Sequence, residues 1–369
     1  MVAVFTRKLD SWNNPGLMIT KARRAEMVSR FPWAAEVIDW PELRKAFEKH
    51  DKAANRLRWL VRWQGRISIV FAVLGLILTA STPVVAVFFP TLTKTIGLIA
   101  SFLILIGGGL GFEHLTRGSL KKRWLIERFW TERLRQLYFQ TVLDGVEDLA
   151  SGDDARIERW KQARTEKLRH FIKSVSGAPG QAVLAVESDL RDERARIFSD
   201  ANSVPDPDPE NSERLSELLD FLGVQRVDDQ YKYIRDKIDP GLFSPHSNAT
   251  FFDRAAMLFA LLTIVTAVIV AGLNVFADTV DAQFLTYALA LQACLSAAFA
   301  GARVFDQGLG YSKEKELYDW YSANVAKLKE GYAEADQSQK LQMLFSLEQL
   351  TYEEFRRFLI THENSNFLL

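Results

Sequence analysis

Five histidines and two side-by-side carboxylate pairs are the residues of this 369-residue chain best suited to acid-base or metal chemistry. His50, His114, His170, His246 and His362 stand far apart, and none forms a short ligand motif with another His, Asp or Glu. Asp153–Asp154 and Asp228–Asp229 have the chemistry of catalytic carboxylates. Both pairs fall in helical patterns where adjacent acids face water, and nothing else of an acid-base site accompanies them. The run GGGLG, 107–111, would cradle phosphate only after a strand and at the start of a helix. It sits inside an apolar stretch, where Gly107 and Gly111 read as a notch for close helix packing. There is no Walker loop and no GxSxG elbow. Cys294 is the single cysteine, which excludes an intrachain disulfide and a cysteine zinc cluster. No enzyme activity, metal or cofactor is expected.

The stretch KKRWLIERFWTERLRQLYF, 121–139, interleaves cations with aromatics. With 46 basic and 46 acidic residues the chain has no net field to draw it to polyanions, and nucleic acid is disfavoured as a partner. Ile126, Trp130, Leu134, Leu137 and Thr141 recur at steps of three and four, the signature of a helix face. Opposite them Arg128, Glu132 and Arg135 are spaced for local ion pairs. Two readings stand side by side. The polar face is solvated, with Trp124 and Trp130 as anchors near lipid headgroups; or these five residues form a gating surface that answers a ligand or partner.

The elements that must position these residues follow from how charge and apolarity separate. Between Ile67 and Phe112 the only charged residue is Lys94; between Ala255 and Ala302 there are only Asp278 and Asp281. A bilayer span needs about 20 apolar residues, longer than a soluble core helix provides. Spans are expected near 67–89, 95–112, 255–277 and 282–302, as two hairpins. No alternating pattern demands a sheet, so the expected fold is an all-α integral membrane protein with long cytosolic helices. No Asp, Glu, Lys or Arg lies deep in a span, which disfavours coupled transport. Ala293, Ala297 and Gly301 form a small-residue ridge on the fourth span, suited to a contact between neighbouring chains of a homo-oligomer. Gln292 near its middle, and Asn274 on the third, would bond between helices or line water.

Cations flank the apolar runs on one side. Lys52, Arg56, Arg58, Arg62 and Arg66 precede the first span; Arg117, Lys121, Lys122, Arg123 and Arg128 follow the second; Arg254 and Arg303 bracket the second pair. The opposite turns carry one Lys or only acids. Both termini and the long middle segment are therefore expected in the cytoplasm. The first 66 residues are charged and contain no long apolar core, so no cleavable signal peptide is expected. The plan is a cytosolic lead-in (1–66) with a pre-membrane helix opened by Pro41, a hairpin (67–112), a cytosolic helical domain (113–254), a second hairpin (255–302) and a helical tail (303–369). The segments 174–182 and 202–211, rich in Gly or Pro, break the middle domain. Leu317, Tyr321, Val325, Leu328 and Tyr332 mark a buried helix face in the tail.

A basic lead-in helix, FEKHDKAANRLRWLVRWQGR, a short-turn hairpin, and then Trp124, Arg128, Glu132, Leu134 and Arg135 in the pattern W-x3-R-x3-E-x-L-R together resemble the SLATT proteins. These are bacterial two-transmembrane effectors associated with SMODS and SLOG proteins. RVDDQYKYIRDK, 226–237, resembles a further segment of that group, and the likeness spans roughly residues 45–330. It implies an effector of nucleotide-signalling conflict systems that perturbs or permeabilises the inner membrane. Many relatives carry a SLOG or TIR domain, for which this chain has no room before residue 67. The trigger would then be a cytosolic sensor protein, a nucleotide second messenger, or the segment 113–254 itself. The contrasting expectation is a non-conducting anchor or scaffold, or an ion channel unrelated to defence.

The topology is testable by thiol labelling in intact spheroplasts. Cysteines placed near Thr91 and Thr279 should react with an impermeant reagent, and cysteines near Ser151 and Ser338 should not. Labelling of the middle segment from outside overturns the orientation.

Overall fold

Prolines open four of the helices, where their missing N–H costs nothing and their fixed φ suits the first turn. A computed structural model describes residues 17, 18, 20–116, 119–175, 212–238, 245–275 and 281–363. The breaks at 176–182 and 202–211, and the turn residues 276–280, lie outside them. In chain order the helices are α1 Lys21–Arg30, α2 Pro32–Ile38, α3 Pro41–Phe88, α4 Pro90–Thr116, α5 Ser119–Asp144, α6 Val146–Ala150 and α7 Asp154–Val175. They continue as α8 Ser212–Leu222, a π-helical segment Gly223–Asp228, α9 Asp229–Ile238, α10 Pro245–Val275, α11 Ala282–Leu309, α12 Tyr311–Glu334 and α13 Gln337–Glu363. Among the described residues there is no strand, as the all-α reading requires.

The pre-membrane helix and the first apolar run are one element, α3, 48 residues and about 70 Å long. The turn after it is tighter than expected. Pro90 starts α4 directly, leaving Phe89 as the only residue between the helices, its N–H bonded to the Val85 carbonyl at 2.7 Å. The expected start near 95 treated PTLT as a loop; proline in a first turn does not have that effect.

Contacts divide the chain into two units. A polar unit gathers Met1–Leu57, Lys122–Ile238 and Glu316–Ile360; an apolar unit gathers Arg58–Lys121, Asp239–Lys315 and Thr361–Leu369. Segments that the sequence separates by polarity along the chain thus come together by packing.

The apolar unit contains four helices long and apolar enough to cross a bilayer, in α3, α4, α10 and α11, which points to a multi-pass membrane protein. Leu98, Phe102 and Leu105 of α4, and Met257, Leu261, Ile264 and Val268 of α10, are exposed, as lipid-facing side chains would be. Hydroxyls along these helices are satisfied without water. Thr79, Ser101, Thr263, Thr286 and Ser296 each donate to the carbonyl four residues back, at 2.7–3.0 Å.

Small residues set the helix spacing. A Cβ on Gly107 would lie 2.6 Å from the Ala72 nitrogen and 2.7 Å from the Ser68 oxygen, and Ser68 donates back to the Gly107 carbonyl at 2.7 Å. The expected notch is therefore real at Gly107. Gly111 is also buried, whereas Gly108 and Gly109 face open space. The fourth-helix ridge differs from its expected use between chains. Gly301 packs against Val73 of α3, where a Cβ would sit 2.5 Å from a methyl, and Ala297 is buried within the same chain. Ala293 alone of the three is exposed, and Gln292 is half-buried. Cys294 donates weakly to the Ile77 carbonyl of α3 at 3.7 Å. Gly301 thus holds α11 to α3 within the chain.

In the polar unit, the short helix α2 is tied at both ends. Glu217 accepts from the Trp33 and Ala34 amides at its N-terminus at 3.0 and 3.1 Å. Arg164 donates to the Val37, Ile38 and Asp39 carbonyls at its C-terminus, with its guanidinium between Trp40 and Trp160. The stripe Leu317, Tyr321, Val325 and Tyr332 is buried as its spacing predicts, with Leu328 packed against the same core.

Gly107→Leu should drive a side chain into the α3 backbone. It should lower stability by about 1–3 kcal/mol or more, read as an earlier thermal unfolding in detergent. Gly108→Leu should leave the midpoint nearly unchanged. Equal loss in both variants overturns the assigned packing.

Candidate functional site

α5 is buried on nearly all sides, which its amphipathic reading did not anticipate. Arg128, Glu132 and Arg135 lie in the core of the polar unit with relative exposures of 4, 1 and 5%. The solvated-face expectation is therefore overturned. Trp124 is buried edge-to-face on Phe358, and Trp130 packs edge-on against Phe171, so neither is an interface anchor. The stripe residues share the core with the charges opposite them, because α8, α9, α12 and α13 contribute to that core as well.

The expected local ion pairs are present. Glu132 bridges Arg128 one turn before it and Arg135 one turn after it. Gln230 of α9 extends the chain of bonds, its amide oxygen accepting from Arg135 Nη1 and Arg226 Nη1, each at 2.8 Å. Arg226, in the π-helical segment, pairs through Nε with Glu348 of α13 and donates from Nη2 to Thr351 Oγ1 at 3.1 Å. Its guanidinium lies 4.5 Å from the Phe139 ring centroid. Tyr321 of α12 closes the network, with its hydroxyl 3.1 Å from the Gln230 amide and 3.2 Å from Thr351. Thr351 in turn donates to the Leu347 carbonyl at 2.8 Å. Three guanidiniums, two carboxylates, an amide and two hydroxyls thus join five helical segments in one buried network.

Two further carboxylates edge this network. Asp51 of α3 stands 4.0 Å from Arg128 and accepts from Asn55 at 3.0 Å; burial pushes it up to about 6 against the pull of Arg128. Glu354 is buried, and among the described residues no hydrogen-bond donor reaches its Oε1. Burial first, and the Glu132 charge second, push Glu354 up to about 7, with Arg135, Arg128 and Lys237 pulling the other way. Glu132 behaves oppositely. Burial would raise it, but Arg128, Arg135 and Arg226 together hold it below the usual carboxylate range.

A second buried cluster lies in the apolar unit, outside the apolar runs. Glu314 accepts from Arg62 Nη2 at 2.6 Å and bonds His362 Nε2 at 2.9 Å, with all three side chains under a tenth exposed. Burial would raise Glu314, but Arg62, the His362 bond and Arg58 outweigh it and keep the group ionised. Burial lowers His362 despite Glu314, so the ring is neutral near pH 7. Of the cations that flank the apolar runs in sequence, Arg58, Arg62, Lys121 and Arg128 are buried. Arg56, Arg66, Lys122, Arg123, Arg254 and Arg303 are exposed.

The remaining chemical candidates have structural roles. Asp229 takes both oxygens to Arg23 at 3.1–3.2 Å, and Asp228 pairs with Lys329 at 2.9 Å. Asp153 accepts from the Ala155 amide at 2.9 Å at the start of α7. His50 bonds Glu127 at 2.7 Å. Sequence reasoning missed Arg226, Gln230, Glu348, Thr351 and Tyr321 as partners of the α5 charges. A signal existed on α13, where Glu348 and Thr351 interrupt the apolar stripe Leu341, Leu344, Phe355, Phe358 at its own spacing.

The chain matches no protein-family model, no curated protein and no solved structure. The SLATT likeness therefore stands on its short motifs, and the motif residues Arg128, Glu132 and Arg135 are those that seed the buried network.

The raised Glu354 fixes the sign of a pH effect. Below about pH 4.5 the carboxyl is protonated whether folded or not. As pH rises towards 7 the folded protein keeps a proton that the unfolded chain releases, and stability falls. Glu354→Gln removes that penalty. The variant should match the wild type near pH 4.5 and exceed it at pH 8 by on the order of 2–3 kcal/mol, measured by thermal unfolding of the full chain. A loss that is the same at both pH values overturns this assignment.

Proposed function

We propose that this protein is a non-enzymatic effector of the bacterial inner membrane, acting in an antiphage or conflict-defence system, with both termini in the cytoplasm. Its buried-charge helical unit is the responsive part, and its four apolar helices are the part that acts on the bilayer. Engagement of the cytosolic helices by a sensor protein or a nucleotide second messenger rearranges the ion-pair network. Several chains then assemble to permeabilise or depolarise the membrane.

The observation that carries this reading is the buried network of Arg128, Glu132, Arg135, Gln230, Arg226 and Glu348. A core of this kind is no more stable than a well-packed apolar one, and breaking one partner costs about 3–5 kcal/mol. Such a core suits a unit with two arrangements, in which a ligand need favour one by only about 1–3 kcal/mol to switch it. The exposed cations Arg56, Arg66, Lys122, Arg123, Arg254 and Arg303 support the orientation. The SLATT-like motif supports the defence setting. The continuous helix α3 offers a route for the signal, since residues 41–88 contain no break.

The competing reading is a non-conducting anchor or scaffold for a cytosolic complex. Overexpression of the full chain in a bacterial host, followed with a potential-sensitive dye, separates the two. An effector should depolarise the cells, and exchange of its four apolar helices for unrelated apolar helices should abolish that effect. An inserted, full-length protein that leaves the potential intact when its trigger system is co-expressed favours the anchor.

A further inference from the structure

Five exposed residues of α3 share one face. Trp59, Trp63, Arg66, Val70 and Leu74 recur at steps of four, three, four and four, within an arc of about 80° at 100° per residue. The other side of the same stretch is buried at Arg58, Arg62, Ser68 and Ile69. One uncovered strip therefore runs from an aromatic and basic end into an aliphatic end.

The aromatic end is unusual for a surface in water. Trp59 is 41% exposed and Trp63 53%, and their rings stack at 6.0 Å with planes 18° apart. Trp63 lies one turn, about 6 Å, before Ile67, where the apolar run starts, and Trp59 about 12 Å before it. The polar layer on each side of the hydrocarbon is roughly 5–8 Å thick. Trp63 therefore falls within that layer, and the Trp59 backbone lies about 4 Å beyond it on the aqueous side, within reach of an indole ring. An indole is favoured there because its ring is apolar and its N–H can meet a polar group.

The same end of the apolar unit bears a collar of matching chemistry. Phe251 of α10 is 65% exposed, three residues before the exposed Arg254. Phe252 stacks between Phe305 and Tyr311, with centroids 5.2 and 5.9 Å away, and Arg66 donates to the Tyr311 hydroxyl at 3.2 Å. Arg303 is exposed beside Asp253 at 3.4 Å. Among the residues named in this collar, the guanidiniums of Arg66, Arg254 and Arg303 are exposed, and Asp253 is an exposed carboxylate. At the opposite ends of the same helices the charged residues described are Lys94 and Asp281, and Asp278 lies outside the described residues.

We propose that the exposed Trp59–Trp63 pair and Arg66 form a binding face for the headgroups of anionic phospholipids in the cytosolic leaflet. The proposal rests on the reading that the four apolar helices cross a bilayer. The aliphatic continuation at Val70 and Leu74 lies against the acyl chains of the same lipids. The indoles hold the depth of α3, and Arg66 supplies the charge that prefers an anionic over a zwitterionic headgroup. Each cation near such a surface contributes an attraction that high salt screens.

The test uses the full chain in nanodiscs of phosphatidylcholine with and without phosphatidylglycerol. Native mass spectrometry should find phosphatidylglycerol retained over phosphatidylcholine. The triple variant Trp59→Ala, Trp63→Ala, Arg66→Gln should insert normally and lose at least fivefold of that preference. Because these side chains are exposed, folding is not at stake; a second variant, Trp59→Phe with Trp63→Phe, should keep most of the preference. If the wild type inserts and retains both lipids equally, the lipid face is wrong. If the preference is unchanged in the triple variant while the oligomeric state changes, the face belongs to a second copy of the chain. If the chain enters neither nanodisc, the membrane reading itself fails.

Discussion

An arginine side chain withdrawn from water costs several kcal/mol unless its charge is met at close range and its donors are bonded. The polar unit withdraws Arg128, Arg135 and Arg226 together, and that one requirement organises its core. Glu132 must stand one turn from two of them, which fixes the rotation of α5. Glu348 and Thr351 must face Arg226, which fixes the rotation of α13 against the π-helical segment. The π turn puts one extra residue into the helix between α8 and α9, and Gln225 and Arg226 lie within it. Gln230 then receives a donor from Arg135 and one from Arg226, so that the two ion-pair groups act as one. Removing a charged member strands its buried counterion, whereas removing a core leucine only leaves a void.

The apolar unit obeys the same rule with the opposite outcome. Its bilayer-length stretches contain no ion in their interior; Thr79, Thr263 and Ser296 turn their hydroxyls back onto their own helices, and Ser68 donates across to the Gly107 carbonyl. With no hydrophobic drive between helices in lipid, closeness must come from missing side-chain volume. Gly75 and Gly107 provide it between α3 and α4, and Gly301 provides it between α3 and α11. The ions withdrawn here, Arg62 and Glu314, sit with the neutral His362 ring just beyond the apolar runs, where a carboxylate can still be held charged by two nearby guanidiniums.

How much of this was legible in the sequence depends on how local each cause is. The four apolar runs were legible because span length and composition are properties of a contiguous segment. The i, i+4 and i, i+7 relations of Arg128, Glu132 and Arg135 were legible for the same reason. Their burial was not. A helix with one apolar face and one charged face looks amphipathic until a distant element supplies countercharges, and Glu348 and Gln230 are separated from Glu132 by 216 and 98 positions. The small-residue ridge was legible as a contact and not as to its partner, since a glycine such as Gly301 fits another chain as readily as Val73 of its own. Both failures concern long-range pairing, for which a single sequence carries no periodic signature.

The tryptophans show what decides between two fates for the same residue type. Trp63, four residues before an apolar run, and Trp124, twelve residues after one, both stand among arginines, and by composition their surroundings are alike. Trp124 lies on a helix whose remaining surface is enclosed, so its ring is covered by Phe358 and its arginine neighbours turn inward to Glu132. Trp63 lies on a helix with one side enclosed, the side that holds Arg62 against Glu314. The residue next to a buried ion pair is by geometry rotated about 100° away from it, towards the uncovered side. Arg58 and Arg62 therefore place Trp59 and Trp63 outward, one position after each. The buried ions of α3 and its exposed indoles are two consequences of one helix register.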